Sequence, residues 1–362
     1  MKPAKELAIA AASGDAKKVN AILKNTPALA KDWQPIMDAC FFGRAEIVKQ
    51  FLDLGADPNI LSKSSHHYRP LLRVVEAKKT FPRGPQHVAT AKLLLQRGAD
   101  PMLRGTCWNV NAVVLAAMGE TQFLPLLVPK AAKSLDIFTA AAIADHKTVS
   151  AALEKDRKLA IAKHENSWTA LRYCAASQVW KVDAARAKAL LAIVSDLIRL
   201  GADPSSALDP ACWAGNEPMV ELLLRHGAKL RDGDTLNHAA CDGRFKILDL
   251  LVKHGANLRD TRGTDHHGGY IPFGCAVTMR SLQGVKWFLD HGADPNDVGS
   301  KKGETALHVA ARFGCAEPML KLLIDRGANL NAKDKSGQTA LAVARAKGKT
   351  KTAEFLSKTG AK

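Results

Sequence analysis

Apolar positions in this chain recur at helical spacing in short bursts, almost from end to end, and most bursts close on glycine. In Met319-Leu-Lys-Leu-Leu-Ile-Asp-Arg-Gly327 five apolar side chains make one buriable helix face. The glycine that follows suits the left-handed turn that ends a helix. The preceding burst, Ala306-Leu-His-Val-Ala-Ala-Arg-Phe-Gly314, is slimmer, and Ala310 and Ala311 let its helix lie close to its neighbours. Small first helices return at Ala10-Ala11 and Ala239-Ala240, and Leu-rich second helices follow them. The pattern predicts stacked helix pairs, each exposing an apolar side until the next pair covers it.

The distance from the apolar anchor of a first helix to the glycine closing its second helix tests this register. It is 19 residues from Ile36 to Gly55, Leu208 to Gly227, Leu236 to Gly255, Phe273 to Gly292 and Leu341 to Gly360. Ile137 to Asp156 keeps the same distance without the glycine, and Leu307 to Gly327 is one residue longer. The spans Leu71 to Gly98 and Leu171 to Gly201 carry 8 and 11 extra residues, which predicts inter-helix insertions near 78–90 and 178–190. The first contains Lys78-Lys-Thr-Phe-Pro-Arg-Gly-Pro-Gln-His87, and both read as tolerated surface excursions. With less regular units near Ala112 to Val128 and from Leu7, about 11 repeats fill 1–362 as a single continuous domain.

The strings Gly303-Glu-Thr-Ala-Leu-His-Val-Ala-Ala-Arg-Phe-Gly314, Met319 to Asn331 and Gly337-Gln-Thr-Ala-Leu-Ala-Val-Ala-Arg-Ala-Lys-Gly348 resemble the ankyrin repeat. The resemblance implies an all-α solenoid of stacked helix-turn-helix units with projecting β-hairpin finger loops. It also implies a concave surface of fingers and first helices where partners bind, and a structural role for His308 as a hydrogen-bonder of the finger backbone. On the same analogy, the residue three before each first-helix anchor projects from the finger toward that surface. Here it is Trp33, Tyr68, Trp168 and Tyr270, with Trp108 within one position of the slot, from only six Trp and three Tyr in the chain. Phe41, Phe42, Met118, Trp213 and Phe313 fall in the last turn of first helices, which faces the same way. Two patches are expected: Trp33, Phe41, Phe42, Tyr68 and Trp108 from successive repeats, and Trp168 with Trp213. Large aromatics anchor protein interfaces, so a protein partner bound on an aromatic-rich face is the leading expectation. The alternative for each ring is packing against its neighbouring finger.

Composition changes this picture little. No apolar run approaches the roughly 18 residues of a membrane span, and Met1 to Gly14 lacks a secretory pattern, so a cytoplasmic or nuclear setting is expected. Seven cysteines, without a Cys-x-x-Cys pair, read as reduced and buried in the core. The net charge of +17 makes nucleic acid or another polyanion the alternative partner. Its distribution weakens that reading: residues 301–362 hold 13 Lys/Arg against 5 Asp/Glu, whereas 201–300 hold 10 against 13. The excess gathers where a solenoid needs a polar cap.

Catalytic templates fail. Ala346-Lys-Gly-Lys-Thr350 resembles the end of a phosphate loop, but Val343 stands where its first glycine belongs. There is no Gly-x-Ser-x-Gly and no His-Glu-x-x-His. Imidazoles cluster only in two fingers, His66-His67 and Asp265-His266-His267, and a metal-dependent activity there is a second alternative. Adjacent histidines point differently, so no catalytic residue, metal site or cofactor is assigned.

Overall fold

The computed structural model describes residues 3–76, 81–230, 234–260 and 270–362, apart from the side chains of Asp234, Asn237, His238 and Cys241. Two compact units make up the chain, Met1–Asp203 and Pro204–Lys362. Helix pairs in the first are α1 and α2 (Pro3–Ser13, Ala16–Asn25), α3 and α4 (Trp33–Phe41, Ala45–Asp53), and α5 and α6 (Pro70–Val75, Pro85–Gln96). They continue as α7 and α8 (Ala112–Met118, Leu124–Ala131), α9 and α10 (Ile137–Ala142, His146–Lys155), and α11 and α12 (Ala170–Ala176, Ala184–Arg199). The second unit holds α13 and α14 (Ser205–Ala214, Glu217–Arg225), α15 and α16 (Asp234–Cys241, Phe245–Lys253), and α17 and α18 (Pro272–Thr278, Leu282–Asp290). It ends with α19 and α20 (Ala306–Phe313, Glu317–Asp325) and α21 and α22 (Ala340–Ala346, Thr350–Lys358).

Within each unit first helices stack on first helices, as α1 on α3 and α19 on α21, and second helices stack alongside, as α4 on α6 and α14 on α16. Alanines at the first-helix contacts, including Ala39, Ala140, Ala141 and Ala175, have no exposed surface, nor do the anchors Leu7, Ile36 and Leu171. Each buried Leu or Ile contributes about 1.5–3 kcal/mol, and the small alanines allow the close approach that buries it. Among the described residues the fingers close through single antiparallel bridges, Gly105 with Val110, Lys163 with Thr169 and Lys333 with Thr339.

Second helices exit through the predicted left-handed glycines, such as Gly55 at φ 83° and Gly98 at φ 90°. Where Asp156 replaces glycine the exit is different. The backbone turns extended at φ −147°, and the Asp156 carboxylate caps a short 3-10 turn, Arg157–Ala160, by accepting the Lys158 N–H at 2.9 Å.

Much of the second insertion is helix rather than loop. α12 starts at Ala184 because the Asp183 carboxylate accepts the Arg186 N–H at 2.7 Å, and the Ala-rich run that follows favours helix. Residues 77–80 of the first insertion lie outside the described residues.

The pair α9 and α10 lacks a finger, since only residues 132–136 separate α8 from α9. The fingers on either side meet directly over it. Asn166 Nδ2 donates to the Trp108 carbonyl at 2.9 Å, and Asn109 Nδ2 donates to Glu165 Oε2 at 2.8 Å. At the other end of the first helices, Gln178 N–H donates to the Ala117 carbonyl at 2.7 Å. The α11 and α12 pair thus reaches across one repeat to grip α7.

His308 has the structural role that the resemblance implies. Its Nδ1 accepts the Thr305 N–H at 3.1 Å, which leaves Nε2–H to donate to the Gln338 carbonyl of the next finger at 2.8 Å. One expectation is corrected: Cys40, Cys174, Cys212, Cys275 and Cys315 are buried, but Cys107 is exposed. It sits in the finger before α7 rather than in a helix-packing slot, and the Cys241 side chain is outside the described residues.

Candidate partner-binding groove

The groove forms where α3 meets the finger ahead of α5. Trp33 with Met37 and Gln34 with Asp38 are two i, i+4 pairs on adjoining strips of α3, and all four line the groove. Ser62, Ser64, His66 and Tyr68 come from the finger and Arg73 from α5, and together they line a cavity of about 300 Å³. The finger is braced by two hydrogen bonds, from Ser62 N–H to the Tyr68 carbonyl at 2.7 Å and from Tyr68 N–H to Ser62 Oγ at 2.8 Å. Trp33 and Tyr68, both half-buried, line one cavity.

Arg73 fixes the far wall. Its guanidinium lies 4.2 Å from the Phe41 ring centroid and 4.7 Å from that of Tyr68, and its Nη1 pairs with Glu76 Oε2 at 3.0 Å. The Tyr68 hydroxyl donates to Glu76 Oε1. Burial, and then the hydrogen bond and charge of Glu76, push the Tyr68 phenol well above its usual range, so it stays a neutral donor. Burial also pushes the Asp38 carboxyl above the ordinary carboxylate range, outweighing the nearby Arg73.

Phe41 and Phe42 are half-buried beside the cavity, and the first insertion packs on them. Phe81 stacks on Phe41 at 5.4 Å and meets Phe42 edge-on at 5.4 Å. Arg83 is buried and donates to the carbonyls of Phe41 at 2.8 Å, Glu76 at 2.9 Å and Arg73 at 3.2 Å. His87 is also buried, and burial lowers its pKa. Its Nδ1 accepts the Gly84 N–H at 3.1 Å and its Nε2 lies 3.1 Å from the Phe41 carbonyl. The segment read as a tolerated excursion therefore supports the groove through Phe81, Arg83 and His87.

Trp108 does not extend this groove. It is 57% exposed, and its ring meets Trp168 edge-on at 6.3 Å. The fingerless α9 and α10 pair brings those two fingers together. Trp168 lies 5.3 Å from Tyr173 and carries the Arg172 guanidinium 4.8 Å from its ring centroid. Trp213, on α13 of the second unit, is 44% exposed. Tyr270 is interior at 8% exposure. Its hydroxyl donates at 2.8 Å to the buried Glu304, which also accepts from Arg312 and Ser300. In the histidine finger, His66 stacks on Tyr68 with ring centroids 5.9 Å apart. Asp265, His266 and His267 lie outside the described residues. Among the described residues, no three His, Cys, Asp or Glu side chains are grouped to hold a metal.

Sequence comparison settles the family. A model described as ankyrin repeats (3 copies) matches residues 208–299 and 273–362, and one described as ankyrin repeat matches residues 31–63. The chain belongs to the ankyrin-repeat family. The ankyrin chain is 48% identical over 81 residues to the ARF GTPase-activating protein Git of Drosophila melanogaster, across 22% of this chain and 11% of that protein. It is 38% identical over 76 residues to ankyrin repeat and SOCS box protein 18 of Homo sapiens, across 21% of this chain and 16% of that one. Both matches span well under a quarter of the relatives' own lengths. Among solved structures, the human ASB11 ankyrin repeat domain aligns with 61% of the ankyrin chain and 96% of its own at 22% identity and a TM-score of 0.49. Ankyrin repeats generally mediate protein–protein interaction.

Proposed function

We propose that this chain is a non-catalytic protein-interaction module whose main contact surface lies on the fingers and first helices of Met1–Asp203. Trp33 and Tyr68 form its centre, with Phe41 and Phe42 beside them. The pair of exposed Trp108 and half-buried Trp168 is a second contact of the same unit, and Trp213 an apolar contact of the other. The observation that carries this reading is the cavity joining Trp33 on α3 to Tyr68 on the next finger. Side chains from successive repeats meet there, as a partner spanning the stack requires. A protein fits the groove better than nucleic acid does, because Asp38 lines the cavity and the Arg73 charge is taken up by Glu76 at 3.0 Å. A phosphate would meet a carboxylate rather than a free cation.

The test is affinity capture with the full chain and with Trp33→Ala/Tyr68→Ala, read by mass spectrometry alongside helical content and melting temperature. A protein retained by the wild type and lost by a folded double variant supports the assignment. Equal capture by both chains, or unfolding of the variant, contradicts it.

A further inference from the structure

Asp38 stands apart from the other charged groups of the groove. Arg73 lies over the Phe41 and Tyr68 rings and is paired with Glu76, and the Tyr68 hydroxyl is spent on the same carboxylate. Among the described residues the Asp38 carboxylate has no hydrogen bond or ion pair of its own, although it lines the cavity and is half-buried. Arg73 eases its charge only in part, for burial still raises its pKa. A partly desolvated, unpaired carboxylate is costly, and an incoming cation relieves that cost. Around it stand the rings of Trp33, Tyr68 and His66, faces that attract cations. The cavity, about 300 Å³, is at the small end of binding pockets and matches one long side chain with its adjoining backbone rather than a larger ligand.

We infer that this cavity is a subsite for one basic side chain, Lys or Arg, of a protein partner, with Asp38 as its counter-charge and Trp33 and Tyr68 as its walls. The inference rests on the groove reading above and adds the chemistry of the partner. Ser64, whose Oγ is hydrogen-bonded to the buried Ser62 Oγ at 2.9 Å, adds a hydroxyl to the cavity lining with a lone pair left for a donor of a guanidinium or ammonium. The chain's overall +17 opposes a cation at long range. At physiological ionic strength that repulsion is screened beyond about 8 Å, so the contacting carboxylate decides the local preference.

A random peptide library is panned on the full wild-type chain, on Asp38→Asn and on Trp33→Ala/Tyr68→Ala, with Asp38→Ser as a second neutral variant in case Asp38→Asn misfolds. Peptides selected on the wild type should share Lys or Arg at one aligned position. A synthetic copy should bind the folded neutral variant on the order of 10-fold more weakly, the effect of losing one partly desolvated charge pair. Exchanging its arginine for citrulline, or its lysine for norleucine, should weaken binding to the wild type by a similar factor and leave the neutral variant unaffected. Comparing Lys with Arg at that position identifies the preferred cation. Selected peptides without a basic residue that still need Trp33 and Tyr68 overturn the subsite and leave the groove standing. Basic peptides indifferent to Asp38 also overturn the subsite. Peptides indifferent to Trp33 and Tyr68, or no selection above bare support, count against both readings.

Discussion

The guanidinium of Arg73 lies 4.2 Å from the centroid of the Phe41 ring, one repeat earlier in the stack. That contact, with the Arg73 bond to Glu76, sets the wall against which Tyr68 leans. The groove is thus shaped by side chains from both repeats, and its parts can be removed one at a time.

Tyr68→Phe removes the hydroxyl that Glu76 accepts and keeps the ring in the groove. It should lower stability by about 1 kcal/mol, the usual net worth of one hydrogen bond, measured as a shifted urea midpoint. Partner binding should survive, because the hydroxyl is already spent on Glu76. Binding lost without loss of stability would mean that the hydroxyl contacts the partner.

The bridge over α9 and α10 gives a local prediction. Asn166→Ala deletes the bond to the Trp108 carbonyl and should cost about 0.5–1 kcal/mol. Amide exchange should quicken in the fingers at 105–110 and 163–169 and stay unchanged in α3 and α5. Uniform exchange across the unit would contradict the bridge.

The backbone of the same repeat gives another. Ala144 holds φ 64° between α9 and α10, the left-handed region that glycine tolerates best. Ala144→Gly should raise stability by about 0.5–1 kcal/mol, relief of strain outweighing the added freedom of the unfolded chain. A lower urea midpoint would show that the Ala144 methyl group packs usefully.

Glu304 yields the pH prediction. Burial alone would raise its pKa, but hydrogen bonds from Tyr270, Arg312 and Ser300 bring it below the ordinary glutamate value. The stabilisation is therefore complete above the unfolded value of about 4.3 and is lost as pH falls through the lower folded one. Glu304→Gln should cost about 2–3 kcal/mol at neutral pH, less than a fully buried pair because Arg312 retains water contact. The stability difference between the two chains should shrink as the pH drops below the ordinary glutamate range. A difference independent of pH would remove Glu304 from the acid response.

Much of the fold was legible because each helix end has a local cause. The spacing of Ile36 and Gly55, Leu71 and Gly98, and their counterparts reports one small helix, one Leu-rich helix and one left-handed exit. Of the candidate site, Trp33 and Tyr68 were legible as residues sharing one slot of the repeat, and both line the cavity. It was not legible at Tyr270, which shares that slot but turns inward to bond a buried carboxylate 34 residues away. Nor could spacing foresee that a fingerless repeat would bring Trp108 to Trp168, or that Phe81, Arg83 and His87 would fold back onto Phe41. Those contacts depend on which loop is short and which is long, and on side chains that meet only in three dimensions.

The central claim is that Trp33 and Tyr68 form the heart of the partner-binding surface. Its most direct test is the dissociation constant of a captured protein partner for the wild type and for Trp33→Ala/Tyr68→Ala, each checked for melting temperature. Loss of central aromatic anchors costs about 2 kcal/mol or more, so the account predicts a rise of at least about 30-fold with melting little changed. Equal dissociation constants for two equally stable chains would contradict it.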